Sequence, residues 1–180
     1  MYPAVFLDRD GVIIENRANY VRSWSDVSIY PQALSALAKL SHAPYRTVIV
    51  TNQSAVGRGL ITLNDAEAIN ERLVQEISRA GGRIDRVYMC PHAPEAGCDC
   101  RKPKPGLLLS AQRELSLDMS RSLLIGDALS DLFAGDAACV PQVALVRTGR
   151  GATQAQLPAA SSLGSLNIYD TLSSALVDLL

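Results

Sequence analysis

Short apolar runs alternate along this chain with longer segments in which apolar residues recur every three or four positions. The runs have the length of strands and cover residues 4–7, 47–50, 84–89, 122–125, 142–146 and 166–168. The periodic segments predict helices over 31–41, 62–80 and 106–115, a short helix through 132–134 and an amphipathic helix from Thr171. Strands that alternate with helices form βαβ units, so we predict an α/β protein, a Rossmann-like three-layer α/β/α sandwich with a mainly parallel sheet.

Polar side chains follow three of the predicted strands at the points where the strands end. Asp8 and Asp10 follow the first strand, Thr51 and Asn52 the second, and Asp127 the fourth. On extended backbone the two aspartates point the same way, and carboxylates that close need a cation, a shared proton or a basic neighbour. They could instead be solvated loop residues. Ligands bind parallel sheets at the carboxyl ends of the strands, however, and the convergence of polar residues there favours a binding site.

The segments between these elements carry less information. Residues 12–30 are polar and aromatic with little periodicity, and we interpret them as a flap over the tip of the first strand. His42 follows the first predicted helix and is expected to be a solvated loop residue, while Cys139 is expected to be a buried core thiol. Neither of these two residues enters the predicted site.

Three cysteines and a histidine lie close together after the third predicted strand, at Cys90, His92, Cys98 and Cys100. Thiolate and imidazole are the preferred tetrahedral ligands of zinc, and four protein ligands make a closed site that braces a loop. A disulfide is the alternative, but the N-terminus lacks a secretory pattern and the spacings are very short. We therefore predict a structural Zn²⁺ ion in this segment, the Cys/His loop (residues 90–100).

A basic segment follows the last cysteine directly. Its sequence is Arg-Lys-Pro-Lys-Pro-Gly, and we call it the basic turn (residues 101–106). Cations close to a carboxylate pair indicate an anionic substrate such as a phosphate ester. A solvated basic turn is the alternative interpretation. The chain contains no complete glycine-rich phosphate-binding motif that would compete for this role.

The composition limits the classes of function. A length of 180 residues suits a single domain spanning 1–180, and 48% hydrophobic residues are enough for a core. The formal net charge of −1 gives no basic field for nucleic acid or for an anionic membrane. No apolar run approaches the roughly 18 residues of a membrane span, and no signal peptide is evident, so a cytoplasmic protein is expected.

Four strand-tip and turn segments resemble, in order, the four signatures of the haloacid dehalogenase superfamily of phosphatases. They are Asp8-x-Asp10-Gly11, Thr51-Asn52-Gln53, Lys102, and Gly126-Asp127-x-x-x-Asp131, and the resemblance covers residues 4 to about 146. The Cys-Pro-His-x-Pro and Cys-Asp-Cys-Arg-Lys-Pro motifs resemble a zinc-loop subgroup that includes heptose bisphosphate and histidinol phosphate phosphatases. Within this subgroup, residues 51–59 are more similar to the heptose enzymes.

The resemblance implies Mg²⁺-dependent hydrolysis through an aspartyl-phosphate. Asp8 would be the nucleophile and Asp10 the acid and base, while Lys102 and Thr51 would stabilise the transferring phosphoryl group. Mg²⁺ would be held by Asp8, the backbone carbonyl of Asp10, and Asp127. The substrate contacts implied by the same resemblance are Arg17, Asn19, Tyr20, Asn52, Gln53, Ser54 and Arg101.

The expected reaction is removal of the 7-phosphate from a heptose 1,7-bisphosphate. Histidinol phosphate and a polynucleotide 3′-phosphate are alternative substrates, and a non-catalytic phosphosugar-binding domain is an alternative of another class. One departure concerns Ala128, which stands where much of the subgroup has a basic residue, and this puts one substrate contact in doubt. The intervals 8–51 and 51–102 are filled by predicted elements, which leaves no room for a cap domain and makes a monomer the simplest expectation.

Overall fold

In the part of the chain that the structure describes, six strands form one parallel sheet in the order β3-β2-β1-β4-β5-β6. The structure is a computed structural model that describes residues 1–163 and 166–180. The strands are β1 Ala4–Leu7, β2 Arg46–Asn52, β3 Arg86–Cys90, β4 Leu123–Gly126, β5 Gln142–Val146 and β6 Asn167–Tyr169. Because β1 pairs with both β2 and β4, the carboxyl ends of these three strands lie side by side.

Within the described residues, seven α-helices connect the strands or follow the last one. They are α1 Pro31–Leu40, α2 Ser54–Gly57, α3 Leu63–Arg79, α4 Gly106–Leu115, α5 Leu129–Ala137, α6 Gly151–Gln154 and α7 Leu172–Leu179. The longest, α3, starts with a reciprocal capping box. The amide of Thr62 donates to the Asp65 carboxylate at 2.9 Å, and the amide of Asp65 donates to the Thr62 hydroxyl at 3.1 Å.

The central strand β1 is buried on both faces of the sheet. Val5 and Leu7 belong to the apolar cluster that also contains the inward faces of α1, α3 and α7. Ala4 and Phe6 belong to the opposite cluster, which packs against α4 and α5. Side chains alternate along a strand, and β1 therefore has no polar position before its tip. The predicted three-layer α/β fold is confirmed.

Several local features differ from the sequence-based expectations. The segment interpreted as a polar and aromatic flap begins with Val12, Ile13 and Ile14, which are fully buried in the core. Cys139 is exposed, so its assignment as a core thiol was wrong. It adopts a positive φ of 58° in the turn before β5, and this turn directs the side chain to solvent.

The remaining expectations concern segments outside the sheet. His42 is exposed in the turn after α1, as expected. The short helices α2 and α6 were not predicted. The glycine- and serine-rich connector before β6 includes residues 164 and 165, which lie outside the described residues. Within 1–163 and 166–180, no helix combines the length and apolar character that crossing a membrane requires.

Candidate active site and metal centre

A cavity of about 540 Å³ opens at the carboxyl ends of β1 and β2. Its floor contains Asp8, Asp10 and Lys102, and its wall includes residues of the flap. The polar positions that follow the strands therefore meet at one edge of the sheet, where parallel α/β folds bind ligands. Arginines also line this cavity, at positions 17, 58, 101 and 150.

Lys102 holds two buried carboxylates at the floor of the cavity. Its ammonium lies 2.9 Å from Asp8 Oδ1 and 2.6 Å from Asp131 Oδ1, and it also donates to the Val50 carbonyl at 2.6 Å. All three charged residues are at most 5% exposed. The basic turn thus places one cation between two acids, which is the arrangement that allows buried charges to coexist.

Burial shapes the titration of this cluster. Removal from water raises the pKa of Asp8 to about 6, although Lys102 opposes the shift, and Asp131 and Asp10 add to it. Burial alone would lower the pKa of Lys102, but the carboxylates of Asp131 and Asp8 outweigh it and raise that pKa. Lys102 therefore remains a cation throughout the neutral range.

Asp127 is fully buried at the end of β4 and is surrounded by donors. Its Oδ2 accepts from the Arg150 amide at 2.9 Å and from Asn16 Nδ2 at 3.1 Å, and its Oδ1 accepts from Arg150 Nη2 at 3.0 Å. Burial nevertheless raises the pKa of Asp127 above its usual range. Gly11 and Gly149 lie against this carboxylate with positive φ values, and a Cβ at either position would collide with it.

Asp10 is held from two sides. The guanidinium of Arg9 donates to its two oxygens, from Nε at 3.0 Å and from Nη2 at 3.1 Å. Gln53 Nε2 donates to Oδ2 of Asp10 at 2.8 Å and lies 2.9 Å from the Thr51 hydroxyl. The side chain of Asp10 is 18% exposed and lines the cavity, so a fixed carboxylate faces the space where a ligand would bind.

The buried carboxylates fit a hard divalent cation. Asp8, Asp127 and Asp131 each offer an oxygen, and these oxygens lie within 4.8 Å of one another. Oxygen donors in this number suit Mg²⁺, which is usually bound through one or two carboxylates. Both oxygens of Asp131 are already engaged, one by Lys102 and the other by the Ala128 amide at 3.0 Å. Asp8 binds Lys102 through Oδ1 only, whereas an ion at Asp127 would have to compete with Arg150 and Asn16 for the oxygens of that carboxylate.

The Cys/His loop brings its four candidate ligands together. Cys90 Sγ lies 3.6 Å from both Cys98 Sγ and His92 Nδ1, Cys100 Sγ lies 3.3 Å from His92 Nδ1, and the sulfurs of Cys98 and Cys100 are 3.5 Å apart. A tetrahedron with metal–sulfur bonds of about 2.3 Å has edges of about 3.8 Å, close to these separations. The four side chains therefore fit one tetrahedral metal ion.

The Cys/His loop packs tightly on its surroundings. Gly57 of α2 lies against the backbone of residues 91–93, and Gly106 at the start of α4 lies against that of Asp99 and Cys100. Lys104 also bonds the loop, at 2.9 Å from Asp99 Oδ1 and 3.0 Å from the Gly97 carbonyl. The loop thereby fixes where the basic turn begins.

Six of the seven residues expected to contact substrate line the cavity, and one does not. The six are Arg17, Tyr20, Asn52, Gln53, Ser54 and Arg101. Asn19 is exposed and is not among the residues that line the cavity, and its carbonyl accepts a bond from Arg22 instead. Four of the six also make contacts within the site: Arg101 bonds Ser54, and Asn52 and Gln53 bond other residues. The Asn52 amide bonds both the N–H and the carbonyl of Lys102 at 3.1 Å, and Gln53 bonds Asp10.

Four residues of the site were not anticipated as site residues: Asn16, Arg58, Asp131 and Arg150. The sequence could have indicated Asp131 as a site residue, because it stands four positions after Asp127 in the segment that resembles the fourth signature. It indicates Arg150 only weakly, since this residue follows the tip of β5 but lies 23 positions from its partner Asp127. Ala128 is buried, and Arg150 supplies a cation to this side of the cavity from another segment.

Comparison with known proteins agrees with this geometry. Residues 4–156 match the family described as Polynucleotide kinase 3 phosphatase. A D-glycero-beta-D-manno-heptose-1,7-bisphosphate 7-phosphatase from Photorhabdus laumondii is 41% identical over 155 residues, covering 82% of each chain. The protein of the same name from Escherichia coli K12 is 38% identical over 158 residues, covering 84% of this chain and 82% of its own.

Solved structures lead to the same group. The D,D-heptose 1,7-bisphosphate phosphatase of B. bronchiseptica, complexed with magnesium and phosphate, has a TM-score of 0.88 and 32% sequence identity. The alignment covers 98% of this chain and 97% of that one. Both the superfamily and the zinc-loop subgroup expected from the sequence are thus confirmed. The chain belongs to the haloacid dehalogenase superfamily of phosphatases, and within it to the family of the heptose bisphosphate phosphatases.

Proposed function

We propose that this protein hydrolyses the 7-phosphate of D-glycero-D-manno-heptose 1,7-bisphosphate through an aspartyl-phosphate intermediate. The observation that carries the proposal is the buried cluster of Asp8, Lys102 and Asp131, which faces a cavity lined by four arginines. The cluster supplies a nucleophile and a fixed cation, and the arginines supply charge for a substrate with a second phosphate. The names of the relatives support this choice of substrate.

In the first step, a carboxylate oxygen of Asp8 attacks phosphorus, and the bond from phosphorus to the sugar oxygen breaks. Asp10 gives its proton to that departing oxygen. Lys102, whose ammonium reaches the end of β2, and the Thr51 hydroxyl of that strand would stabilise the charge on the equatorial phosphoryl oxygens. Asp131 acts on Lys102 rather than on the substrate, because the 2.6 Å ion pair fixes the ammonium beside Asp8.

In the second step, the acylphosphate on Asp8 is hydrolysed. Asp10 is now a carboxylate and takes a proton from the attacking water, so inorganic phosphate leaves and Asp8 is regenerated. The same fixed carboxylate serves both steps, and its contacts with Arg9 and Gln53 keep it at the wall of the cavity. When bound, Mg²⁺ would be held by Asp8, Asp127 and the backbone carbonyl of Asp10, and it would offset the repulsion between carboxylate and phosphate.

The Cys/His loop would hold Zn²⁺ in a purely structural role. All four positions of the tetrahedron come from Cys90, His92, Cys98 and Cys100, so none remains for water or substrate. The ion would brace the loop that presents Arg101, whose guanidinium donates to the Ser54 hydroxyl at 2.8 Å. We also propose that the protein has no cap domain and is a monomer. The flap (residues 12–30) and the Cys/His loop would then select the sugar.

A polynucleotide 3′-phosphate is the second candidate substrate, because the family matched by residues 4–156 carries that name. The net charge of −1 opposes it, since affinity for nucleic acid depends largely on a basic surface. Histidinol phosphate is a third candidate with the same chemistry and a different leaving alcohol. The roles of Asp8, Asp10 and Lys102 would be unchanged in each case.

A phosphate-release panel tests the choice of substrate. The panel contains both anomers of the heptose 1,7-bisphosphate, fructose 1,6-bisphosphate, histidinol phosphate and a 3′-phosphorylated oligonucleotide, each with Mg²⁺. We expect the highest kcat/KM with one heptose anomer. A higher value with histidinol phosphate or with the oligonucleotide would overturn the proposed substrate and leave the aspartyl-phosphate chemistry in place.

A further inference from the structure

Arg9 lies between the two aspartates of the strand tip, and the proposed chemistry involves it only through its contact with Asp10. Its side chain is 1% exposed and is the largest of the fully buried side chains. A buried guanidinium is costly unless its charge and its donors are satisfied. The position of so large a cation behind the catalytic carboxylates therefore requires an explanation.

The guanidinium of Arg9 bridges Asp10 and helix α3. Nε and Nη2 form a two-pronged contact with the oxygens of Asp10, at 3.0 and 3.1 Å, and Nη1 donates to Asn70 Oδ1 at 2.8 Å. Asn70 is 6% exposed in the middle of α3, and its amide lies 3.5 Å from Met89 Sδ of β3. The carboxylate of Asp10 is thereby tied to a rigid helix on the far side of the sheet from the basic turn.

A planar fork fixes orientation as well as position. Two parallel N–H···O bonds prevent rotation of the Asp10 carboxylate, whereas a single bond from a lysine ammonium would leave it free to turn. Gln53 adds a third contact to the same carboxylate, at 2.8 Å. A proton donor must lie within hydrogen-bond reach of the leaving oxygen, so rotation of this group would weaken proton transfer.

We infer that Arg9, held by Asn70, is a positioning residue that aims the Asp10 carboxylate at the leaving-group oxygen. The inference rests on the proposed function, in which Asp10 is the general acid. It assigns α3 a part in catalysis, although the contact is made through Arg9 and not with substrate. A purely structural role would instead lower stability and affect every substrate equally.

The experiment compares two leaving groups in Arg9→Lys, which keeps the charge and loses the fork. Alcohol release is measured with enzyme in excess over a primary alkyl phosphate and over p-nitrophenyl phosphate. An alkoxide needs a proton as it leaves, whereas p-nitrophenolate is stable without one. We expect the rate with the alkyl phosphate to fall by about 10²-fold, the cost of a misplaced catalytic group, and the rate with the aryl phosphate to fall far less.

Two further variants make the result decisive. Asn70→Leu removes the bond behind Arg9 and should give a smaller loss with the same selectivity. Arg46→Lys is the matched control, since Arg46 also pairs with a carboxylate, Asp85, at 2.7 Å, but lies at the opposite end of β2 from the cavity. Its rates should be unchanged with both substrates. Thermal melts establish that each variant is folded.

The outcomes separate this inference from the proposed function. Asp10→Asn should show a selective loss with the alkyl phosphate at least as large as that of Arg9→Lys. If Asp10→Asn loses both substrates equally, the acid role in the proposed function is wrong. If Asp10→Asn is selective while folded Arg9→Lys and Asn70→Leu are not, the role of Arg9 is wrong and the proposed function stands.

Discussion

The strand-tip carboxylates and the Cys/His loop are both candidate metal sites, but they are organised in opposite ways. Asp8, Asp127 and Asp131 are at most 5% exposed, and cations of the protein already balance them. In the Cys/His loop, Cys90 ends β3 and is buried, whereas the other three ligands lie in irregular chain and are partly or fully exposed. The carboxylate site is therefore preorganised by the sheet, whereas we expect the Cys/His loop to depend on a bound metal ion for its shape.

The largest effect is expected at the nucleophile. Asp8→Asn removes the attacking carboxylate, so we expect phosphate release to fall at least about 10³-fold. The melting temperature should change little, because the Lys102 ammonium keeps its ion pair with Asp131. Phosphate release and thermal melting of the purified variant check this. Turnover close to the parent rate would remove Asp8 from the mechanism.

The second effect tests whether protein cations hold the carboxylate site together. Lys102→Met leaves Asp8 and Asp131 facing each other without the ammonium, and breaking a buried pair in this way costs about 3–5 kcal/mol. The free energy of unfolding from urea titration should fall by that amount, and activity should be lost. Lys104→Met is the control, since Lys104 and Asp99 form an exposed pair and should contribute little. Equal stability of the two variants would contradict the preorganised site.

The third effect contrasts removal of the two metals. A zinc-selective chelator should increase hydrogen exchange across residues 90–106, because the loop loses the ion that closes it. Removing Mg²⁺ should leave exchange at the ends of β1 and β4 nearly unchanged. We expect about a 10-fold loss of activity in the zinc-free form, since the loop that fixes the positions of Arg101 and Lys102 becomes mobile. A zinc-free protein that keeps full activity would show that the loop needs no bracing.

The smallest effect concerns Arg150. Arg150→Ala removes the guanidinium from Asp127 and leaves the bonds from the residue-150 amide and from Asn16. Mg²⁺ then competes with one cation fewer for Asp127, so the half-activating Mg²⁺ concentration should fall several-fold. Titration of activity with Mg²⁺ measures this. An unchanged or higher requirement for Mg²⁺ would mean that the guanidinium and the ion do not share the carboxylate.

Regular elements with clear boundaries could be predicted closely from the sequence. The predicted limits of β1, α4 and β5 are those observed, because an apolar run or period stops there at a polar residue, glycine or proline. The third strand starts at Arg86 rather than at residue 84. The Asp85 side chain instead binds the Thr47 amide at 2.8 Å, a long-range contact that no local pattern indicates.

The residues of the site also divide into those that local patterns indicate and those that they do not. Asp8 and Asp127 could be predicted to lie near each other, because they follow strands whose carboxyl ends lie side by side in the sheet. Arg150 could not, since its position depends on the path of the chain after β5 and not on any local period. The exposure of Cys139 could not be predicted, because it depends on a left-handed backbone conformation. A glycine in the sequence would indicate that conformation, but a cysteine does not.

The glycines packed against Asp127 have a consequence for protein engineering. A Cβ at Gly11 or Gly149 would overlap the carboxylate, and both backbones have positive φ values, so a mutagenesis library should keep these codons fixed. Arg17, Arg58 and Arg101 line the open cavity from segments outside the sheet, so a smaller side chain at these positions would create no such overlap. Directed evolution toward another phosphorylated sugar can therefore vary the arginines while the carboxylate floor and its glycines stay intact.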